Sequence, residues 1–439
     1  MKVNVTCSKA DDKGRGIVKI NNKTFAIDYL IPDEEATIEI TKQHTKLISI
    51  NKPSVYRQKP PCEYYYKCGG CQLQHLNNEG QKKFKQEKVE ELLSDFAPVN
   101  PIISMDYPFY YRNKSHFTFQ KNRNRKIIAG MYEENSHRIV DLDRCIIQDD
   151  TTNKINATIK SMLVSFKLEP YNEDTKTGFL RHVLIRTGFT SKQVMVVLVT
   201  ASSMFPSKNN FIKALLKKHP EITTIVQNIN DRKTSMVLGQ KEVVLFGKGF
   251  IVDELNGFKF KISPSSFFQI NPTQTEKLYQ VAINAADLQK DDVVLDAYCG
   301  TGTIGIFASN YVKSVIGVEL NKDAIRDAIT NAKLNNVKNI WFENADASDF
   351  MVQLVNDKVK IDVVILDPPR SGSDERFIRA LSMLNPKKIV YVSCNPQTQA
   401  RDLLLFEKNG YKVQSIQPVD MFAHTYHVET IVLMSRVEK

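Results

Sequence analysis

The chain reads as an α/β protein whose C-terminal part is a Rossmann-like, doubly wound sheet. Ahead of it stand a small OB-like β-barrel and an α+β central region. Three observations predict this. Short strands alternating with polar turns crowd residues 1 to about 55. Strand and helix patterns without a fixed order fill the middle. From Val293 onward, apolar β-branched runs alternate with helix-length segments, the pattern of a parallel sheet covered on both faces. The boundaries fall at 1–57, 58–255 and 256–439, with part of 93–125 expected to pack against the last region.

Composition narrows the class. Of 439 residues 42% are hydrophobic and 25% charged, which is globular rather than disordered. No apolar run approaches the roughly 20 residues of a membrane span. The start, Met1-Lys2-Val3-Asn4-Val5, has no hydrophobic signal core. A cytoplasmic protein without a membrane partner is expected. The formal charge of +11 leans toward polyanions, because cations that neutralise phosphates gain from counterion release.

The first region runs through Gly14–Ile20, Thr24–Ile27, Ala36–Ile40 and Lys46–Ile50, predicting five short strands in a barrel of the kind that often binds RNA. Over residues 1–60, 11 Lys and Arg against 7 Asp and Glu leave +4, compatible with phosphate contacts.

Three of the seven cysteines then fall within ten residues, in Cys62-Glu63-Tyr64-Tyr65-Tyr66-Lys67-Cys68-Gly69-Gly70-Cys71. Structural disulfides do not suit a reducing compartment, so the grouping reads as a metal centre. The glycines let the backbone wrap it closely. Cys145 and Cys7 are the only other cysteines in this half, and Cys145 is the candidate fourth ligand. Four thiolates suit zinc or an iron–sulfur cubane. Zinc ribbons use two paired C-x2-C units, and this C-x5-C-x2-C with one distant cysteine favours a cluster.

Gln72 to Phe96 carries the periodicity of an amphipathic helix. Residues Phe109 to Phe119 interleave aromatics with cations, and Lys121, Arg123, Arg125 and Lys126 follow. Such a mixture serves single-stranded nucleic acid, by stacking and phosphate contact, or equally a hairpin with an aromatic core face. Strands at Leu180–Thr187, Gln193–Thr200 and Thr224–Asn228 with a helix near Lys208–Lys218 complete the middle, which holds no catalytic constellation.

In the last region the strand Val293–Ala297 meets Tyr298-Cys299-Gly300-Thr301-Gly302-Thr303-Ile304-Gly305. A glycine turn opening a helix lets the backbone approach an adenosine cofactor. Glu319, after the next strand, suits ribose hydroxyls. These two features fit NAD and S-adenosylmethionine equally. The discriminator is Asp362–Arg370, a buried strand ending in Asp367-Pro368-Pro369, where the prolines stiffen the turn that holds the carboxylate at the sheet's edge. That arrangement resembles class I S-adenosylmethionine-dependent methyltransferases acting on flat nitrogenous bases. Asp346 follows a third strand, Asn339–Glu343.

Ile389–Ser393 is a further buried strand, ending at Cys394-Asn395-Pro396. A thiol there is either a core filler or a nucleophile. Carbon 5 of uracil is a poor nucleophile toward a sulfonium methyl, but thiolate addition at carbon 6 makes the ring an enolate. A base must then remove the carbon 5 proton, and Glu429, heading the strand Ile431–Met434, is the candidate.

These motifs together resemble the RNA uracil-C5-methyltransferase family over essentially the whole chain. The resemblance implies a TRAM domain at the N-terminus and a [4Fe-4S] cluster on Cys62, Cys68, Cys71 and Cys145. It implies an S-adenosylmethionine pocket including Gln269, Tyr298, Gly300, Glu319, Asp346 and Asp367. Phe267, in Ser263-Pro264-Ser265-Ser266-Phe267-Phe268-Gln269, stacks on the target base by the same resemblance, with Cys394 as nucleophile and Glu429 as base. The cysteines and barrel resemble the branch that modifies 23S ribosomal RNA, since the transfer RNA branch typically lacks both. Thr303 and Asp346 depart from some members.

Overall fold

The computed structural model describes residues 1–41, 44–232 and 236–437. Its N-terminal strands form two three-stranded sheets, one of Lys2–Thr6, Glu35–Ile40 and Thr45–Lys52, the other of Lys9–Ala10, Gly16–Ile20 and Lys23–Ile27. Their inner faces close on Val18, Ile27, Leu30, Ala36 and Ile38. Six strands stand where five were expected, because Lys9–Ala10 is too short to show a period-two pattern. Gly16 is required where it sits: a Cβ would lie 2.7 Å from the Leu30 carbonyl oxygen.

The middle of the chain builds a seven-stranded sheet that is antiparallel except where Val194–Thr200 pairs with Ile222–Ile229. Helices Asp150–Ser165 and Lys208–Lys218 bury one face of it. The aromatic and cationic run becomes the hairpin of Lys114–Lys121 and Ile127–Tyr132, with Phe117 and Phe119 in the core. Its other face shares a core with the C-terminal half, where Leu184, Met195 and Val197 meet Phe260, Phe268 and Leu278.

The helix expected over Gln72–Phe96 runs only from Asn78 to Leu93. Asn77 caps it by accepting from the Gly80 N–H at 2.9 Å, which commits the residues before it to a different course. This helix packs against Pro396–Lys408, and Val89 and Leu93 join the core of the C-terminal sheet. Val99 and Ile103 then form bridges with Ile416 and Val419, extending that sheet's edge.

The C-terminal sheet has the order Ile340–Glu343, Ser314–Val318, Val293–Ala297, Val363–Leu366, Lys388–Ser393, Glu429–Arg436, Tyr411–Val419. The first five are parallel and Glu429–Arg436 is antiparallel to its neighbours. Strand order therefore reverses between Val293–Ala297 and Val363–Leu366, the point at which doubly wound sheets bind ligands. Among the described residues no helix is long and apolar enough to cross a membrane.

Candidate active site

A cavity of about 700 Å³ opens at that reversal, on the carboxyl ends of the parallel strands. One end is made by the glycine turn. Tyr298, Gly300 and Gly302 take φ of +62°, +54° and +78°, so the chain leaves its strand through three left-handed residues. A Cβ on Gly300 would meet nothing within 4 Å, so bare backbone faces the cavity there. On Gly302 it would meet the Phe342 ring at 2.8 Å. Glu319 accepts the Gly300 N–H at 3.2 Å and the Asn321 N–H at 2.8 Å, which braces the turn and leaves the carboxylate in the cavity wall. Asp346 lines the same end while capping the helix Ala347–Asn356 through the Ser348 and Asp349 N–H groups. These groups fit an adenosine cofactor, with open backbone for close approach and carboxylates for hydroxyls.

The other end is the chemical one. Asp367, Cys394 and Glu429 line it with Phe267, Gln269, Arg370 and His427. Cys394 lies between the end of its strand and Asn395, whose side chain caps the helix Pro396–Lys408. Pro396 fills the first helical turn, where its missing N–H is harmless. Glu429 begins the neighbouring strand, only 3% exposed. Burial, aided by the Asp367 charge, pushes its carboxyl up to about 8, and burial pushes Asp367 up to about 7. Burial likewise holds the Cys394 thiol up at about 11, with Glu429 and Asp367 adding to it and Arg370 opposing through charge and a hydrogen bond. Cys299 also lines the cavity but is 6% exposed, and its acidic neighbours Asp296 and Glu319 disfavour a thiolate. Of the two thiols, only Cys394 has a cation beside it.

Phe267 stands 69% exposed at the rim, whereas Phe268 is buried beneath it. Their segment is moored to the central sheet. Asn113 donates to the Gln269 carbonyl at 3.1 Å, and the buried Arg186 to that of Ser266 at 3.0 Å. The sequence reading thus placed its pocket residues around one cavity, but gave no role to Arg370, His427, Asp296 or Tyr279. Arg370 directly follows the Asp-Pro-Pro run, and a cation at that spot was the available signal. Asp296, raised by burial to about 8, accepts the Gly305 N–H at 2.8 Å inside the sheet. Tyr279 reaches the cavity from a helix, bonding Thr303 at 3.1 Å, and no local motif announces it.

Cys62, Cys68, Cys71 and Cys145 line one separate small cavity with Tyr65, Gln74, Arg112 and Ile147. Burial raises all four thiols, and Cys145 adds to the effect in the other three. Among the described residues no group of three or more His, Cys, Asp or Glu is placed to hold a metal ion. The donor set is all-thiol and surrounds a cavity rather than a point.

A doubly wound sheet with one antiparallel strand, a glycine turn and an acidic cofactor end defines a class I S-adenosylmethionine-dependent methyltransferase. Comparison with known proteins carries this further. The family model described as tRNA (Uracil-5-)-methyltransferase matches residues 77–437. An RNA methyltransferase of Clostridium tetani is 44% identical, over 96% of this chain and 94% of its own. One from Staphylococcus aureus is 41% identical over 96% and 95%. A crystal structure of the Pyrococcus abyssi tRNA (uracil-54, C5)-methyltransferase with S-adenosyl-L-homocysteine superposes with a TM-score of 0.81. It is 30% identical and covers 98% of this chain and 99% of its own. The chain belongs to the tRNA (uracil-5-)-methyltransferase family of RNA methyltransferases.

Proposed function

We propose that this enzyme methylates carbon 5 of a uridine in 23S ribosomal RNA through a covalent adduct on Cys394. The observation that carries the reading is the placing of a thiol, an adjacent arginine and a buried glutamate at one end of a cavity whose other end is a glycine turn. S-adenosylmethionine supplies an electrophilic methyl group on a sulfonium centre. Gln269, Tyr298, Gly300, Glu319, Asp346 and Asp367, which line the cavity, would hold it there.

The target base leaves its stack and enters at Phe267, whose exposed ring offers a stacking face. Arg370 favours the Cys394 thiolate, which adds to carbon 6 and pushes the ring electrons toward carbon 5 and the carbonyl at carbon 4. Carbon 5 would then take the methyl group as its carbon–sulfur bond breaks, with S-adenosylhomocysteine as the leaving group. Glu429 then removes the proton still on carbon 5, the carbon 5–carbon 6 double bond re-forms, and the Cys394 sulfur leaves as thiolate. Burial, aided by the Asp367 charge, raises the Glu429 carboxyl to about 8, so its ionised form is a stronger base than a solvated carboxylate, as this step needs.

Cys62, Cys68, Cys71 and Cys145 would hold a [4Fe-4S] cluster. The all-thiol lining of one small cavity, in C-x5-C-x2-C spacing with one distant cysteine, supports the cluster reading. The cluster takes no part in methyl transfer, and shapes the central region and its RNA surface.

Ribosomal RNA is favoured by the resemblance of the cysteine quartet to that of the ribosomal branch. The same chemistry on the T-loop of transfer RNA is the second reading. The Pyrococcus abyssi enzyme acts on tRNA, and it matches this chain almost end to end, barrel included. The deciding experiment incubates the enzyme and S-adenosylmethionine with unmodified 23S fragments and with tRNA transcripts, and quantifies 5-methyluridine in each. Product in 23S RNA is expected. Product in tRNA alone overturns the ribosomal assignment and keeps the chemistry.

A further inference from the structure

The segment from Asp420 to Val428 joins the last two strands and delivers Glu429. It is irregular yet largely buried, so its backbone groups need partners from elsewhere. They have them. The Asp420 carbonyl accepts from Gln274 at 3.0 Å, Met421 from Asn271 at 2.9 Å, and Phe422 from Lys85 at 3.0 Å. Ala423 accepts from the Tyr111 hydroxyl at 3.0 Å and Tyr426 from Lys88 at 3.1 Å. Lys85, fully buried, also pairs with the Asp420 carboxylate at 2.5 Å.

The tightest point is His424. It is 2% exposed and holds φ at +67°, a left-handed conformation that histidine, like asparagine and aspartate, adopts more readily than most side chains and that β-branched residues avoid. Its N–H donates to Gln81 Oε1 at 2.9 Å, and its Nδ1 lies 3.2 Å from Gln81 Nε2. Its carbonyl receives two consecutive N–H groups, from Gln72 and Leu73, each at 2.9 Å. Phe109 packs on the ring at 5.0 Å between centroids. These contacts fix both the backbone and the ring of His424. Gln72 directly follows Cys71, and Cys71 and Cys145 pack on the cluster of Met105, Tyr111, Ile147 and Ala423. The cysteine loop and the segment leading to Glu429 are therefore joined at Ala423 and His424.

We infer that His424, seated on Gln81 and the Gln72–Leu73 backbone, is a positioning residue that sets Glu429 for removal of the carbon 5 proton. This rests on the reading of Glu429 as the base. A misplaced base spares the steps before proton removal and slows the one after methyl transfer, so the two halves of the reaction separate.

The test uses the full chain, RNA carrying [5-³H]uridine at the target, and S-adenosylmethionine labelled in its methyl group. Single-turnover methyl incorporation and tritium release are timed separately in wild type, Glu429→Gln, His424→Val, His424→Asn and Gln81→Leu. Valine is strained at a left-handed position and asparagine tolerates it. His424→Val and Gln81→Leu are expected to slow tritium release about tenfold while methyl incorporation changes less than about twofold. The methylated protein–RNA complex should accumulate, and His424→Asn should restore release. Equal slowing of both steps, or of neither, in both His424→Val and Gln81→Leu overturns the positioning role. If Glu429→Gln itself releases tritium normally, the base assignment fails first, which separates that failure from this one.

Discussion

Glu429→Gln preserves the side chain's shape and removes its ionisation, and the structure gives the result a size. Burial raises this carboxyl from an ordinary 4.5 to about 8. Between those values the folded chain keeps a proton that the unfolded chain has released, so wild-type stability falls as pH rises through that window. At pH 7 the difference, at 1.36 kcal/mol per pH unit above 4.5, amounts to about 3 kcal/mol. Glutamine escapes this penalty. The variant should therefore melt higher than wild type at neutral pH, by about 6 to 12 °C for a domain of this size. The gap should vanish near pH 4.5, grow through neutrality and level off above pH 8. Thermal melts of both proteins from pH 4.5 to 9 measure it. A gap that is constant with pH, or a variant less stable than wild type at pH 8, refutes the picture of a carboxylate held at a cost to the fold. The same variant should methylate RNA and then stall, because the step it loses comes last.

Other consequences follow from the same geometry. Arg370→Gln removes a cation that opposes the upward push on Cys394, so adduct formation at pH 7.5 should slow and its rise with pH should move to more alkaline values in stopped-flow quench. Gly302→Ala puts a Cβ on a φ of +78° and within 2.8 Å of the Phe342 ring, and should weaken S-adenosylhomocysteine binding about tenfold by calorimetry while leaving the melt of the central region unchanged. Protein purified without oxygen should contain iron and acid-labile sulfide, and Cys68→Ser should lose both. Stoichiometric zinc without iron would assign the quartet to zinc instead.

How far the chain could be read from its letters differed by region, for physical reasons. The parallel strands are continuous apolar runs buried on both faces, so Val293–Ala297, Ser314–Val318 and Val363–Leu366 stood out, and their ends carried the site. The strand Leu180–Thr187 and the helix Lys208–Lys218 appear at their expected bounds. What escaped was whatever depends on long-range partners. Residues 72–76 have helical periodicity, yet Gln72 and Leu73 are drawn off to His424, more than 340 residues away, and the helix waits for the Asn77 cap. The 420–428 segment looks like an ordinary connection and is held by four distant parts of the chain. Arg370 was visible in its motif, but its effect on Cys394 requires knowing that two strand ends are neighbours.

The central claim is that Cys394 attacks the pyrimidine. Target RNA carrying 5-fluorouridine tests it most directly, because fluorine at carbon 5 cannot depart as the proton does. Enzyme, this RNA and S-adenosylmethionine should form a complex that survives denaturation, and digestion followed by mass spectrometry should place the methylated nucleotide on the peptide containing Cys394. Cys394→Ala should form none. Attachment at Cys299 or any other residue, or an undiminished adduct in Cys394→Ala, would contradict the account.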